Sequence, residues 1–301
     1  MKNPIFNELL KLKLISKLNL ITLSNKTRDK KIKVLQDFKT KIIFLDKCTT
    51  SNQYYSSLKY RYGDRKIVVK KKIANVKTFS GNIKTSIIED DNRRAIQFEK
   101  ILKNKDILDF GCGWGGFLRN IKNYKSISGV ELRKECVNYI KNNIKKINIS
   151  NNINFVDRKV DIITMFHVLE HIPYQVETLK LLKSKLKNKG KIIIEVPSAQ
   201  DFLLSFDELK EFKNFSFWSE HLVLHTEKSL IKILHKSGFS KIRIEYFQRY
   251  NFANHLGWLI KKQPSGHSFY ANITDNKINR EYANYLKRKK KTDTLIAIAT
   301  K

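Results

Sequence analysis

Hydrophobic and polar positions along this chain change period several times, and each change marks an element. Ile5, Phe6, Leu9, Leu10, Leu12 and Ile15 recur at helical spacing with lysines elsewhere, which predicts an amphipathic helix. Asn3-Pro4 in front of it supplies an N-cap and a proline at the first helical position. KIIFLD (41–46) and KIVVKKKI (66–73) read as strands, joined by a polar, tyrosine-rich segment around Tyr54–Tyr62. Asp90 or Asp91 can cap a helix that runs to about Leu102. Ile107 and Leu108 then form a short apolar run closed by Asp109. Glycines follow at 111, 113, 115 and 116, and Phe117, Leu118 and Ile121 restart a helical spacing that should reach about Tyr124.

Downstream the alternation continues. Strands are expected at Ser126–Val130, near Ile153–Val156, at Asp161–Phe166, Lys191–Val196, Lys241–Phe247 and Thr294–Ala299. Helices are expected over about Lys134–Lys146, along the face Leu179, Leu182 and Leu186 closed by Asn188-Lys189-Gly190, and over Ser229–Ser237 ended by Gly238. Strands alternating with helices imply an α/β fold with a mostly parallel sheet. Asp201–Glu220, rich in phenylalanine, reads as a partly helical cap, and Arg249–Lys290 as an insert before the last strand. The expected division is a small N-terminal region over 1–89 and a main domain over 90–301, carrying the insert at 249–291.

Composition narrows the class. Of the residues, 41% are hydrophobic, enough for a packed core. No apolar run is long enough to span a bilayer, and the lysine-rich N-terminus lacks a cleavage signal. Three scattered cysteines, Cys48, Cys112 and Cys136, form no pair, which points to a reducing cytoplasm and away from a zinc ribbon. A net charge of +32 invites a nucleic-acid partner, but lysine is spread along the whole chain and arginine is scarce, which reads as a composition bias. The first helix, basic and amphipathic, could lie on a membrane surface; packing on the main domain is the simpler role.

The glycine stretch carries the chemistry. A strand that breaks into glycines and re-enters as a helix brings backbone N–H groups close to a ligand. Gly111-x-Gly113-x-x-Gly116 also fits a dinucleotide fingerprint. Asp109, two residues earlier, would repel a pyrophosphate but suits an ammonium or sulfonium centre. With Gly129-Val130-Glu131, the run DIITMFHVLEHI and KIIIEVP, this stretch resembles the motif set of class I S-adenosylmethionine (SAM) methyltransferases from Arg93 to Gly238. The resemblance implies a Rossmann-like, seven-stranded, mostly parallel sheet with an antiparallel last strand and helices on both faces. It implies SAM as cofactor and no metal, with Asp109, Gly111, Cys112, Gly113, Gly115, Glu131, Phe166 and His167 around it. Glu131 takes the ribose-binding place. The connection from 153 to 161 is shorter than the family's, which leaves Asp157 for the adenine edge.

Methyl transfer needs an acceptor held in line with the S–CH3 bond and, for a hydroxyl or amine, a base. His167, His171, Glu195, His221, His225 and His255 are the candidates, of which at most two should matter; His171, Glu195, His221 and His225 are preferred. Trp218, Glu220, Arg249, Asn254 and His255 lie in two aromatic, polar segments, Ser198–His225 and Arg249–His267, expected to wall the acceptor site. Pro264-Ser265-Gly266 would let the insert move as a lid. Each histidine has a plainer alternative as a packing or capping residue. The sequence looks like the subgroup acting on small metabolites, quinone precursors and sugar nucleotides. It lacks Asn/Asp-Pro-Pro-Tyr and the cysteine pairs of zinc-bearing sugar methylases. An RNA methyltransferase of the same fold, an NAD-binding oxidoreductase and a non-catalytic nucleotide-binding module are the competing classes.

Overall fold

The computed structural model describes residues 3–57 and 83–301. The strand expected at 66–73 and the end of the tyrosine-rich segment lie outside the described residues. By residue proximity the chain divides into two compact units. One comprises Met1–Thr50, His167–Lys183 and Ile193–Lys301, and the other Ser51–Phe166 and Ser184–Ile192.

In chain order the strands are β1 (Leu20–Ser24), β2 (Val34–Asp37), β3 (Ile43–Leu45), β4 (Asp106–Phe110), β5 (Ser126–Val130), β6 (Asn148–Ser150), β7 (Val160–Phe166), β8 (Leu186–Pro197), β9 (Val223–Leu224), β10 (Ser240–Phe247) and β11 (Thr294–Thr300). Seven form one sheet in the order β10-β11-β8-β7-β4-β5-β6. β4 runs parallel to β5 and β7, and β5 parallel to β6. β10 and β11 are antiparallel, with Ile244 opposite Ala297. The Rossmann-like α/β architecture and its antiparallel last strand are therefore as expected. β7 and β11 are buried at nearly every residue, as interior strands of such a sheet must be.

Three local expectations are corrected. The third strand is Asn148–Ser150, while Ile153–Phe155 is a single 3-10 turn. Its cause is Asn152, whose side-chain oxygen accepts the Asn154 N–H at 2.9 Å and bends the chain. The helix expected to reach Leu186 stops at Ser184, and β8 begins at Leu186. Lys187 sits at the strand's start because its ammonium lies 2.6 Å from Asp106 and 2.9 Å from Asp161. The helix after the glycines spans only Gly116–Asn120.

The unit holding both chain ends carries a second sheet, β1-β2-β3-β9, antiparallel throughout. Residues from both ends of the sequence fill its core: Val34, Ile43 and Leu45 pack with Ala199, Phe217, Leu222 and Leu224. The first helix, Pro4–Lys11, starts as read: Asn3 Oδ1 accepts the Ile5 N–H, and Pro4 follows. Asn3 also donates through Nδ2 to the carbonyls of Leu45 and Leu222. Glu8 accepts the N–H groups of Gln175 and Val176 at 3.1 and 2.8 Å, capping the helix Gln175–Ser184. No helix among the described residues is long and apolar enough to cross a membrane.

Candidate functional site

The glycine turn leaves β4 and is built on the end of β5. The Val130 carbonyl accepts the N–H groups of both Gly111 and Cys112, at 2.8 and 3.1 Å. Gly115 holds the left-handed conformation that starts the next helix, with φ at 74°. A Cβ on Gly116 would overlap the Asp91 carboxylate, so only glycine lets that acid approach the helix start. Glu131 ties the turn to β5: its Oε2 accepts the Gly113 N–H at 2.8 Å and its Oε1 the Arg133 N–H at 3.0 Å.

Three carboxylates thus face the turn, and their charges push against each other. Asp109 is buried, with Oδ1 accepting the Thr164 hydroxyl at 2.7 Å. Burial raises its pKa to about 7; Thr164 opposes this, and the charges of Asp91 and Glu131 add to it. Asp91 is raised to about 6, again chiefly by burial, with Arg94 opposing at 3.6 Å. Acids held partly neutral beside the turn suit a ligand that brings positive charge. Burial pushes the Cys112 thiol well up, and the sulfur packs where a Cβ on Gly129 would come within 2.7 Å.

The candidates from His167 onward sit in the unit with both chain ends. His167, directly after β7, has φ at 54°, and its N–H donates to the Glu195 carbonyl at 2.8 Å. Its Nδ1 is 3.2 Å from Glu170 Oε1, and its Nε2 3.3 Å from Glu195 Oε1. The second contact is close but misaligned for a hydrogen bond. Both glutamates are fully buried. Burial alone would lower the His167 pKa; the two carboxylates outweigh it and raise the pKa. Burial would raise Glu170, but the His167 hydrogen bond and the charges of His171, His167 and His221 hold it near about 2. His171 places Nδ1 2.9 Å from the Glu220 carbonyl, and its ring meets that of His221 edge-on, centroids 4.9 Å apart.

A grip from the N-terminal hairpin holds the segment that carries His221. Arg28 lies over the rings of Phe215 and Trp218, at 4.0 and 4.5 Å from their centroids. Asp29 accepts the N–H and hydroxyl of Ser219 at 3.0 and 2.6 Å.

Some expected residues are engaged in other contacts. His225 is fully buried and pushed down to about 4 by burial; its Nδ1 is 3.1 Å from Ser229 Oγ in the capping box of the helix Glu227–Lys236. That contact fastens it to the start of the helix. His255 is likewise held near about 4 by burial, between Tyr282 and Gln248. Asn254 follows Asn251, whose side chain caps the helix Phe252–Lys261. The Arg249 backbone N–H donates to Asp293, as does that of Tyr250 and the side chain of Gln248. Asp293 therefore clamps the insert's first residues to the strand that follows it. Phe166 is enclosed by Phe98, Phe117 and the Arg94 guanidinium, and Asp157 is exposed. Sequence reasoning missed Asp91, Glu170, Asp293 and the Arg28–Asp29 grip. Glu170 left a trace as an acid inside the apolar run 162–172, and Asp91 only as a helix-cap candidate, although it lies inside the helix Ile83–Gln97.

A strand–glycine turn–helix with an acid ending the next strand, on a mostly parallel sheet, defines a nucleoside-binding α/β protein. The family model for the methyltransferase domain matches residues 86–244, more than half of the chain, and the chain belongs to this family of class I SAM-dependent methyltransferases. It is similar to a tRNA U34 carboxymethyltransferase of Nautilia profundicola, 30% identical over 155 residues, which cover 47% of this chain and 50% of that protein. A ubiquinone biosynthesis O-methyltransferase of Coxiella burnetii is 29% identical over 109 residues, 33% of this chain and 46% of that one. The chain spans about half the length of the curated relatives it matches. A solved SAM-dependent methyltransferase of Archaeoglobus fulgidus aligns over 71% of this chain and 93% of its own at 23% identity, with a TM-score of 0.47.

Proposed function

We propose that this chain transfers the methyl group of SAM to a small-molecule or sugar-like acceptor by in-line displacement. The glycine turn, Asp109 and Glu131 bind the cofactor, and the cluster of His167, Glu170, His171, Glu195 and His221 receives the acceptor. The observation that carries this reading is His167 set between two fully buried carboxylates on the residue directly after β7. Buried charge is costly, and a fold retains it where it must orient a polar partner.

In such a displacement the methyl carbon gains a bond to the acceptor atom as its bond to sulfur breaks, and the acceptor's proton must leave. His171, whose Nδ1–H donates to the Glu220 carbonyl, is the group we assign to take that proton, through Nε2. The charged pair His167–Glu170 fixes the loop geometry around it. A small acceptor fits the even spread of lysine; the tRNA-modifying relative makes RNA the second reading.

The test is methyl transfer from labelled SAM to a small-molecule extract and, separately, to total RNA. Label in the small-molecule fraction, unaffected by ribonuclease, is expected. Label only in RNA, released by ribonuclease, would replace the acceptor class. His221→Ala should keep SAM affinity while sharply lowering turnover; loss of SAM binding with the fold intact would misplace the acceptor site.

A further inference from the structure

We propose that Glu170, His171 and His221 form a binding site for one divalent cation of the zinc, cobalt or manganese class. One donor atom from each residue lies within 4.8 Å of the other two. His171 Nε2 is 3.9 Å from Glu170 Oε1. That is too long for a hydrogen bond, and near the ~3.4 Å between ligands of a tetrahedron with ~2.1 Å bonds. Two such bonds span at most ~4.2 Å, so a pair at the 4.8 Å limit closes by ~0.6 Å as the ion enters.

Two further observations point to an ion. Glu170 is fully buried, and its Oε2 accepts no hydrogen bond among the described residues. A buried carboxylate oxygen without a donor is expensive to keep, and a coordinated cation removes that cost. The second is the orientation of His171. A carbonyl can only accept, so the contact with Glu220 puts the proton on Nδ1 and leaves the Nε2 lone pair on the side of Glu170. A hydrogen bond to the far nitrogen of a ring is how proteins aim an imidazole at a metal. The ring of His221 lies against that of His171, and Asp29 fixes its loop through Ser219 two residues earlier.

The donor set selects the ion. Two imidazoles and one carboxylate exclude the all-oxygen shells of calcium and magnesium, and without thiolate they favour borderline cations. Three protein ligands leave a coordination position open, as catalytic sites do. An oxygen bound there, from water or from an acceptor, becomes more acidic. With the ion in place, an acceptor hydroxyl bound to it would be acidic enough for water, and not only an imidazole, to take its proton. The site itself is testable without methyl transfer.

The experiment uses the full chain, stripped with a chelator and titrated with Co2+ while visible absorption is followed, and with Zn2+ by calorimetry. S-adenosylhomocysteine binding is measured on the same samples. One cation per chain, with ligand-field bands of nitrogen and oxygen coordination, is the expected result. Glu170→Gln and His221→Ala should each weaken binding more than about tenfold. S-adenosylhomocysteine binding and circular dichroism report whether each variant is folded; if Glu170→Gln does not fold, His221→Ala, at a less buried position, decides. Absence of stoichiometric binding in the wild type overturns the site. So does undiminished binding in folded His221→Ala. Metal binding without SAM binding would leave this site standing and remove the methyltransferase reading instead.

Discussion

Asp109 offers a test in which stability and ligand binding move in opposite directions. Its pKa, raised to about 7 by burial and by the facing acids, means that the folded chain holds the proton more tightly than the unfolded chain does. The contribution to stability is therefore present below about pH 4 and is lost as pH rises through 7. From the ordinary 3.8 to about 7 is a little over three units, or roughly 4 kcal/mol at ~1.36 kcal/mol each. Asp109→Asn keeps the shape and can still accept the Thr164 hydroxyl, but removes the titration. In urea unfolding, the unliganded variant should be more stable than the wild type at pH 8 by up to roughly 4 kcal/mol. The difference should vanish toward pH 4. SAM affinity should behave in the opposite way. With a pKa of about 7, the carboxylate is about one-tenth ionised at pH 6 and about nine-tenths at pH 8, a gain of about tenfold in wild-type affinity. Calorimetry on both proteins reads this directly, because the ratio of the two affinities cancels the titration of the ligand's own amino group. A variant less stable than the wild type at pH 8, or a ratio that does not change with pH, would refute the reasoning.

The other predictions use the same measurements. Glu131→Ala frees the N–H groups of Gly113 and Arg133 and should cost ~1–3 kcal/mol of SAM binding; an unchanged dissociation constant in calorimetry would count against its role. Gly116→Ala meets the Asp91 carboxylate and should lower stability by ~1–3 kcal/mol; a wild-type urea midpoint would show that the close approach does not exist. Asp293→Ala removes the acceptor of the Arg249 and Tyr250 backbone N–H groups, at ~1–3 kcal/mol for an unpaired buried group. Hydrogen exchange should then quicken over 248–291, and protection equal to that of the wild type would refute the clamp.

What was legible in the sequence, and what was not, follows from the range of the interactions. The turn at 109–116 could be read because its causes are local: glycines supply backbone freedom, and apolar residues on either side set strand and helix periods. The strands β10 and β11 were visible for the same reason, as apolar runs with polar flanks, while their antiparallel pairing was implied only by the family resemblance. Leu186 was misread because Lys187 and Lys189 look like the polar end of a helix. The lysine at 187 is held instead by Asp106 and Asp161, far away in sequence. Ile153–Val156 has the composition of a strand, yet one side-chain hydrogen bond from Asn152 turns it. The second sheet was illegible as a sheet, since β9 is two residues long and pairs with β3 across most of the chain. Around the site, histidines announce themselves and their partners do not. His167, His171, His221 and His225 looked equivalent; full burial and the contact with Ser229 are what separate His225 from the other three.

The pairing of β3 with β9 also has a history within each molecule as it is made. Ile43 and Phe44 leave the ribosome about 180 residues before Leu224 and Val223 do. At ~5–20 residues per second, that is a wait of ~10–40 s. During it the β1–β3 meander has a strand edge without a partner, and Val34, Ile43 and Leu45 lack the downstream half of their core. An unpaired apolar edge recruits other chains. The nascent polypeptide is therefore most exposed to aggregation while β4 to β7 are being synthesised, and a chaperone that covers residues 3–46 over that interval should raise the yield of folded protein.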